Sequence, residues 1–143
     1  MLPAAHVAEY IIGTEMRRGT PVTSLRLALY LYFAQVESFA ACGRPLFFNE
    51  ISTAHPFPCV DSVHYKYNVY TDGITLNLQR KLPPEEAALV RPLIARLRKK
   101  NTWELVAMAE QPCSPFMKAK KEGASLTPSF FKKHFFKKSL TFL

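Results

Sequence analysis

The chain has 143 residues, 48% of them apolar and 21% charged, a composition that fits one globular domain able to bury a core without disulfides. Its cysteines, Cys42, Cys59 and Cys113, are odd in number and far apart, which excludes a disulfide framework and a Cys-x-x-Cys metal motif and points to reduced thiols in a cytoplasmic protein. The net charge of +8 is uneven, with −1 on residues 1–79, +3 on 80–111 and +6 on 112–143, so the basic second half attracts anionic partners: nucleic acid, acidic protein or anionic lipid.

In chain order, the opening MLPAAHVAEYIIG has no basic n-region, so no secretory signal is expected. Ala5 to Arg18 reads as a first helix, with Val7, Tyr10 and Ile11 on one side and Glu9 and Glu15 facing outward. Gly19-Thr20-Pro21 ends it and turns the chain into the stretch Ser24–Cys42. That stretch holds no proline or glycine, can be capped by Thr23 or Ser24, and meets Gly43 at its end. It is apolar almost all round, the mark of a central helix covered by its neighbours. Its 19 residues have the length to cross a bilayer, but Arg26, Gln35, Glu37 and Ser38 and a mean hydropathy of −0.04 argue for a core helix.

Arg44 to Ile51 reads as a strand or extended arm, and Ala54–Val60, with Pro56 and Pro58, as an irregular loop. Asp61 can cap a short helix through Tyr70, with Val63, Tyr67 and either Tyr70 or Val69 inward. Ile74–Leu78 alternates apolar and polar residues as a half-buried strand does, and pairing with Leu46–Ile51 is expected. Pro83-Pro84-Glu85-Glu86 opens the next helix, in which Leu89, Val90, Leu93, Ile94 and Leu97 turn inward and Arg91, Arg96 and Arg98 lie on the wet side. Pro92 predicts a kink there. Asn101 and Glu104 form a capping box for a helix over Thr102–Ala109, which buries Trp103 or Leu105 and Val106 with Met108. Gln111–Ser125 reads as a long connection, and Thr127 caps a last helix starting at Pro128. Four phenylalanines among the lysines of that helix do not resolve to one stripe, so it is either sandwiched or exposes an aromatic contact surface.

The fold class that follows is mainly α: a single domain over 1–143, a central buried helix wrapped by four or five others, and a small two- or three-stranded β element. A basic helix or tail is expected from about residue 126 to 143.

The motifs also resemble a known family. Leu25-Arg26-Leu27 followed by Leu31-Tyr32-Phe33-Ala34-Gln35 is similar to the "LKLQKLLYFAQ" signature of the Panacea domain, found in SocA-like antitoxins and phage-associated proteins. Gly43-Arg44-Pro45-Leu46-Phe47 matches that family's "GKPLF", and Ala54 with Phe57, Pro58 and Val60 resembles its "AWxxGPV" loop. The Trp103–Leu105 helix and Pro115-Phe116 are like its late helix and "PW", so the similarity spans roughly residues 5–136. Ala28, Leu29, His55 and Phe116 depart from the pattern, and the loop lacks its glycine. The resemblance implies a mostly helical protein-binding module with no catalytic residues, which holds a toxin in an inactive complex by steric masking. A copy carried by a phage or mobile element would instead block a host defence complex, as an anti-CRISPR does.

Catalysis, cofactor and metal binding are not expected. Cys59 with His64 and His55 nearby outlines a Cys–His dyad, but no Gly-x-Ser-x-Gly, His-Glu-x-x-His or phosphate-binding glycine loop appears, and His6, His55, His64 and His134 read as solitary. The rival from another class is nucleic-acid binding by Lys118, Lys120, Lys121, Lys132, Lys133, Lys137 and Lys138 among phenylalanines, with no recognised nucleic-acid motif beside them. The expected partner-binding residues are His55, Phe57 and Pro58 in the loop, with Arg91, Arg96, Phe131, Lys132 and Phe135 as a second group.

Overall fold

Helix α2 (Ser24–Cys42) forms because both of its ends are specified locally. The Thr23 hydroxyl accepts the Arg26 N–H at 3.1 Å. Gly43 takes φ 69°, the left-handed conformation that ends a helix at no steric cost when no Cβ is present. Every residue from Leu27 to Val36 is buried, so α2 is the axis of the core. The computed structural model describes residues 1–134; Phe135 of the expected partner surface, with Phe136, Lys137 and Lys138, lies outside them.

The described residues make a mainly helical, compact single domain. Around α2 stand α1 (Ala4–Arg17), α3 (Asp61–Tyr67), α4 (Pro84–Arg98), α5 (Thr102–Ala109), α6 (Pro115–Lys121) and α7 (Pro128–His134). Helices α1, α3, α4 and α5 pack on α2 directly. The buried Tyr32 hydroxyl accepts the Phe116 N–H at 3.2 Å, which fixes the start of α6. Phe39 stacks on Phe131 of α7 with ring centroids 4.5 Å apart. The wrapping is thus by six helices rather than four or five, since α6 occupies part of the expected long connection. No helix among the described residues is long and apolar enough to cross a membrane.

The expected β element is absent from the described residues, where isolated bridges take its place. Leu46 and Phe47 find their backbone partners elsewhere. Leu2 bridges Phe47 on one edge, donating to the Leu46 carbonyl and accepting from Phe48. On the other edge, buried Gln35 accepts from the N–H groups of Leu46 and Phe47 at 2.8 and 3.2 Å and donates to the Phe47 carbonyl at 2.9 Å. A side-chain amide of α2 stands where a neighbouring strand would be. Ile74–Leu78 runs instead along α1: Ile74 donates to the Val22 carbonyl, and the Leu78 carbonyl accepts from Arg17. The alternation of the stretch survives as facing, with Ile74 buried and Thr75 and Asn77 exposed.

That segment explains Gly13 in the middle of α1. A Cβ on Gly13 would overlap the Leu78 carbonyl, a backbone atom with no flexible end to yield. Helix propensity alone favours alanine over glycine by about 1 kcal/mol. Here the sign reverses, and Gly13→Ala is expected to destabilise by about 1–3 kcal/mol, as overpacking does. A denaturation midpoint equal to or above that of the parent would remove this account.

Glu15, expected to face outward, is buried at 2% exposure. Arg98 of α4 grips it with both ends of the guanidinium, Nη2–Oε1 at 2.6 Å and Nε–Oε2 at 3.0 Å. The hydrogen bonds to Glu15 push the Arg98 pKa up. Pro92 lies on the exposed side of α4, which continues through it as one helix. The bond Pro92 cannot make therefore falls where solvent serves the exposed Ala88.

Candidate functional site

The loop before α3 is closed by backbone pairing between Ser52 and Cys59 and stiffened by Pro56 and Pro58. Its base is fixed to the 124–126 segment. Ile51 and Leu126 exchange backbone hydrogen bonds at 2.9 and 2.8 Å, and the Thr53 hydroxyl donates to the Ala124 carbonyl at 2.6 Å. Lys120 of α6 donates to the His55 carbonyl at 3.3 Å. This stapled loop holds the three expected residues. His55 is half-buried, with Nε2 3.3 Å from Oδ1 of Asp61. Phe57 is half-buried and meets the His64 ring edge-on at 5.3 Å, and Pro58 is buried.

The same fold brings Cys59 to Asp61, its thiol donating to Oδ1 at 3.8 Å. Ligand atoms of His55, Cys59 and Asp61 all lie within 4.8 Å of one another. His64 completes the surroundings, its ring 5.7 Å from that of His55. Its Nδ1 is buried and makes no hydrogen bond among the described residues. Burial first, then the like charge of His55, holds the His64 pKa below its ordinary value.

A nucleophilic dyad is not what this arrangement makes. Burial and the Asp61 carboxylate push the Cys59 thiol up to about 12, the direction opposite to activation. Its hydrogen bond goes to a carboxylate and not to an imidazole.

The second expected group is spread over three neighbours. Arg91 is exposed on α4 and donates from Nε to the Tyr10 hydroxyl of α1 at 3.2 Å, a bond that raises its pKa. Arg96 pairs with Glu37 of α2 at 3.3 Å. Lys132 is exposed on α7. Phe131 is fully buried against Phe39, so it fills the core and offers no contact surface.

Sequence reasoning missed two things. Trp103 is 75% exposed, because Leu105 takes the buried position on α5 that either of them was able to fill. Val69 and Tyr65 are also exposed, at 77% and 83%. Val69 and Trp103 flank one place: the Ser24 N–H donates to the Tyr70 carbonyl, and the Arg26 guanidinium reaches the Thr102 hydroxyl at 3.2 Å. Both therefore adjoin the first turn of α2.

Two depressions frame the chemistry available. An enclosed one between α2 and α3, lined by Leu27, Leu31, Val63 and His64 among others, holds only about 10 Å³ and admits no substrate. An open groove of about 500 Å³ between α1 and the start of α4 is lined by Tyr10, Arg17, Arg80, Lys81 and Arg91 among others. Glu9 tempers its positive charge through Arg80, at 3.3 Å.

No family model, no curated protein and no solved structure matches this chain.

Proposed function

We propose that the chain is a non-enzymatic protein-binding module that neutralises its target by direct, stoichiometric masking, with a toxin as the target. The observation that carries the reading is the exposure of Trp103 on α5 and of Val69 in the turn after α3, both adjoining the first turn of α2, with Tyr65 exposed on α3 as well. Tryptophan and tyrosine dominate the energetics of protein interfaces, since each supplies a large apolar area with few rotatable bonds. The cavity between α2 and α3 is too small for a substrate, and the buried thiol is held protonated. The motifs shared with the Panacea domain supply the toxin as target; a host defence complex is the same mechanism aimed at another protein.

The test is affinity capture of the tagged chain in its native host, followed by reconstitution with the captured protein. A complex of fixed stoichiometry is expected, with target activity falling as chain is added and stopping at saturation. Trp103→Ala should weaken that complex by about 30-fold, the ~2 kcal/mol of an interface hot spot, while leaving the melting temperature unchanged. Turnover of a small compound by the isolated chain, or a complex indifferent to Trp103 and Val69, would overturn the reading.

Nucleic-acid binding has an observation of its own in the groove of Arg17, Arg80, Lys81 and Arg91, whose cations can contact phosphates. Its signature is affinity for a single-stranded oligonucleotide that falls steeply with salt, with a shallower slope in Arg91→Ala.

A further inference from the structure

We propose that His55, Cys59 and Asp61 form a site for a single divalent transition-metal ion, with zinc as the ion their chemistry fits. This inference is independent of the function proposed above.

The edges of the cluster carry it. Metal–N and metal–O bonds of ~2.0 Å and a metal–S bond of ~2.3 Å place N and O about 3.3 Å apart, and S and O about 3.5 Å apart, around a tetrahedral ion. Here His55 Nε2 and Asp61 Oδ1 stand 3.3 Å apart, and Cys59 Sγ and the same oxygen 3.8 Å. The imidazole-to-thiol edge lies within 4.8 Å, so closing the tripod asks for a shift of about 1 Å there and less elsewhere. The Ser52–Cys59 bridge, the two prolines and the start of α3 hold the backbone of all three residues, so little ordering remains for the ion to impose.

Chemistry selects the ion. One imidazole, one thiolate and one carboxylate are a borderline-soft set that suits zinc, whereas magnesium and calcium take oxygen ligands. On binding, the Cys59 proton leaves to solvent as the Sγ–metal bond forms. Thiolate and carboxylate then cancel the two positive charges of the ion. His64 adjoins the cluster, its ring 5.7 Å from that of His55, and its buried Nδ1 makes no hydrogen bond among the described residues. The half-buried His55 and exposed Asp61 leave the solvent side of the tripod open for entry.

The test is titration of the full chain with Zn(II) by calorimetry, with Co(II) as the optical probe. One ion per chain is expected, and the cobalt form should show a thiolate charge-transfer band. Cys59→Ser should abolish that band, and His55→Ala should weaken zinc binding by at least about 100-fold, beyond what loss of an outer partner costs. The double variant Cys42→Ser/Cys113→Ser should leave both readouts intact. His55 sits on the half-exposed loop, so His55→Ala, with its fold checked by circular dichroism, decides the matter if Cys59→Ser does not fold. Absence of stoichiometric binding, a band that survives Cys59→Ser, or full zinc affinity in His55→Ala would each overturn the site.

Discussion

Arg98→Met should lower the stability of the chain by about 3–5 kcal/mol, the cost of removing one partner from a buried ion pair. Methionine keeps most of the apolar stem, so the loss reports on the charge left behind. Glu15 is 2% exposed and takes both of its carboxylate contacts from Arg98. Without the guanidinium, its carboxyl must give up its charge or draw solvent into the α1–α4 contact. Either response costs a large part of the 5–15 kcal/mol that ordinarily separates folded from unfolded. For a chain of this size the melting temperature should fall by on the order of 10 °C. The double variant Glu15→Leu/Arg98→Met should recover most of the loss, because well-packed apolar residues often replace a buried pair at little cost. Chemical denaturation of the three variants decides it. A single variant within about 1 kcal/mol of the parent would mean that solvent reaches Glu15.

The pair also marks where sequence reasoning stops. Nothing within a few residues of Glu15 signals that an arginine 83 positions away will cover it. Local chemistry, by contrast, was legible. Thr23 and Gly43 bound α2 through contacts three and four residues long, and the Asn101–Glu104 capping box forms as the spacing requires. Helix α6 was missed because Pro112, Pro115 and Gly123 read as breakers. Ser114 capping with Pro115 in the first turn is equally a helix start, and a seven-residue helix is too short to show periodicity. In the candidate site the ligand-type residues His55, Cys59 and Asp61 were all in view. Cys59 reads with His55 and His64 as the outline of a dyad, and Asp61 as a helix cap. Their convergence as one set stays hidden because the loop that folds them together is held by Ala124, Leu126 and Lys120, far along the chain. The alternation at Ile74–Leu78 gave the facing of its side chains correctly. What it did not reveal was that its backbone partners are Val22 and the Arg17 side chain rather than a strand.

The second large effect is expected at Gln35, where the same lesson becomes energetic. Gln35→Leu preserves volume and burial but strips Leu46 N–H, Phe47 N–H and Phe47 C=O of their partner. At about 1–3 kcal/mol for each buried group left unsatisfied, the sum is roughly 3–6 kcal/mol after partial relaxation. Amide exchange at Leu46 and Phe47 should accelerate more than exchange in α2 itself. Gln35→Glu separates acceptor from donor: it still accepts from both N–H groups, but its second oxygen faces the Phe47 carbonyl and cannot donate while charged. Burial favours the neutral acid, so the folded state holds its proton at a pH where the unfolded chain has released it. Stability of that variant is therefore greatest at low pH and falls as pH rises above about 4.3, the ordinary glutamate value. Wild type has an uncharged amide there and contributes no such slope. If Gln35→Leu unfolds at the parental denaturant midpoint, the amide does not hold the 46–47 segment in place of a strand. The reason given for the missing β element then goes with it.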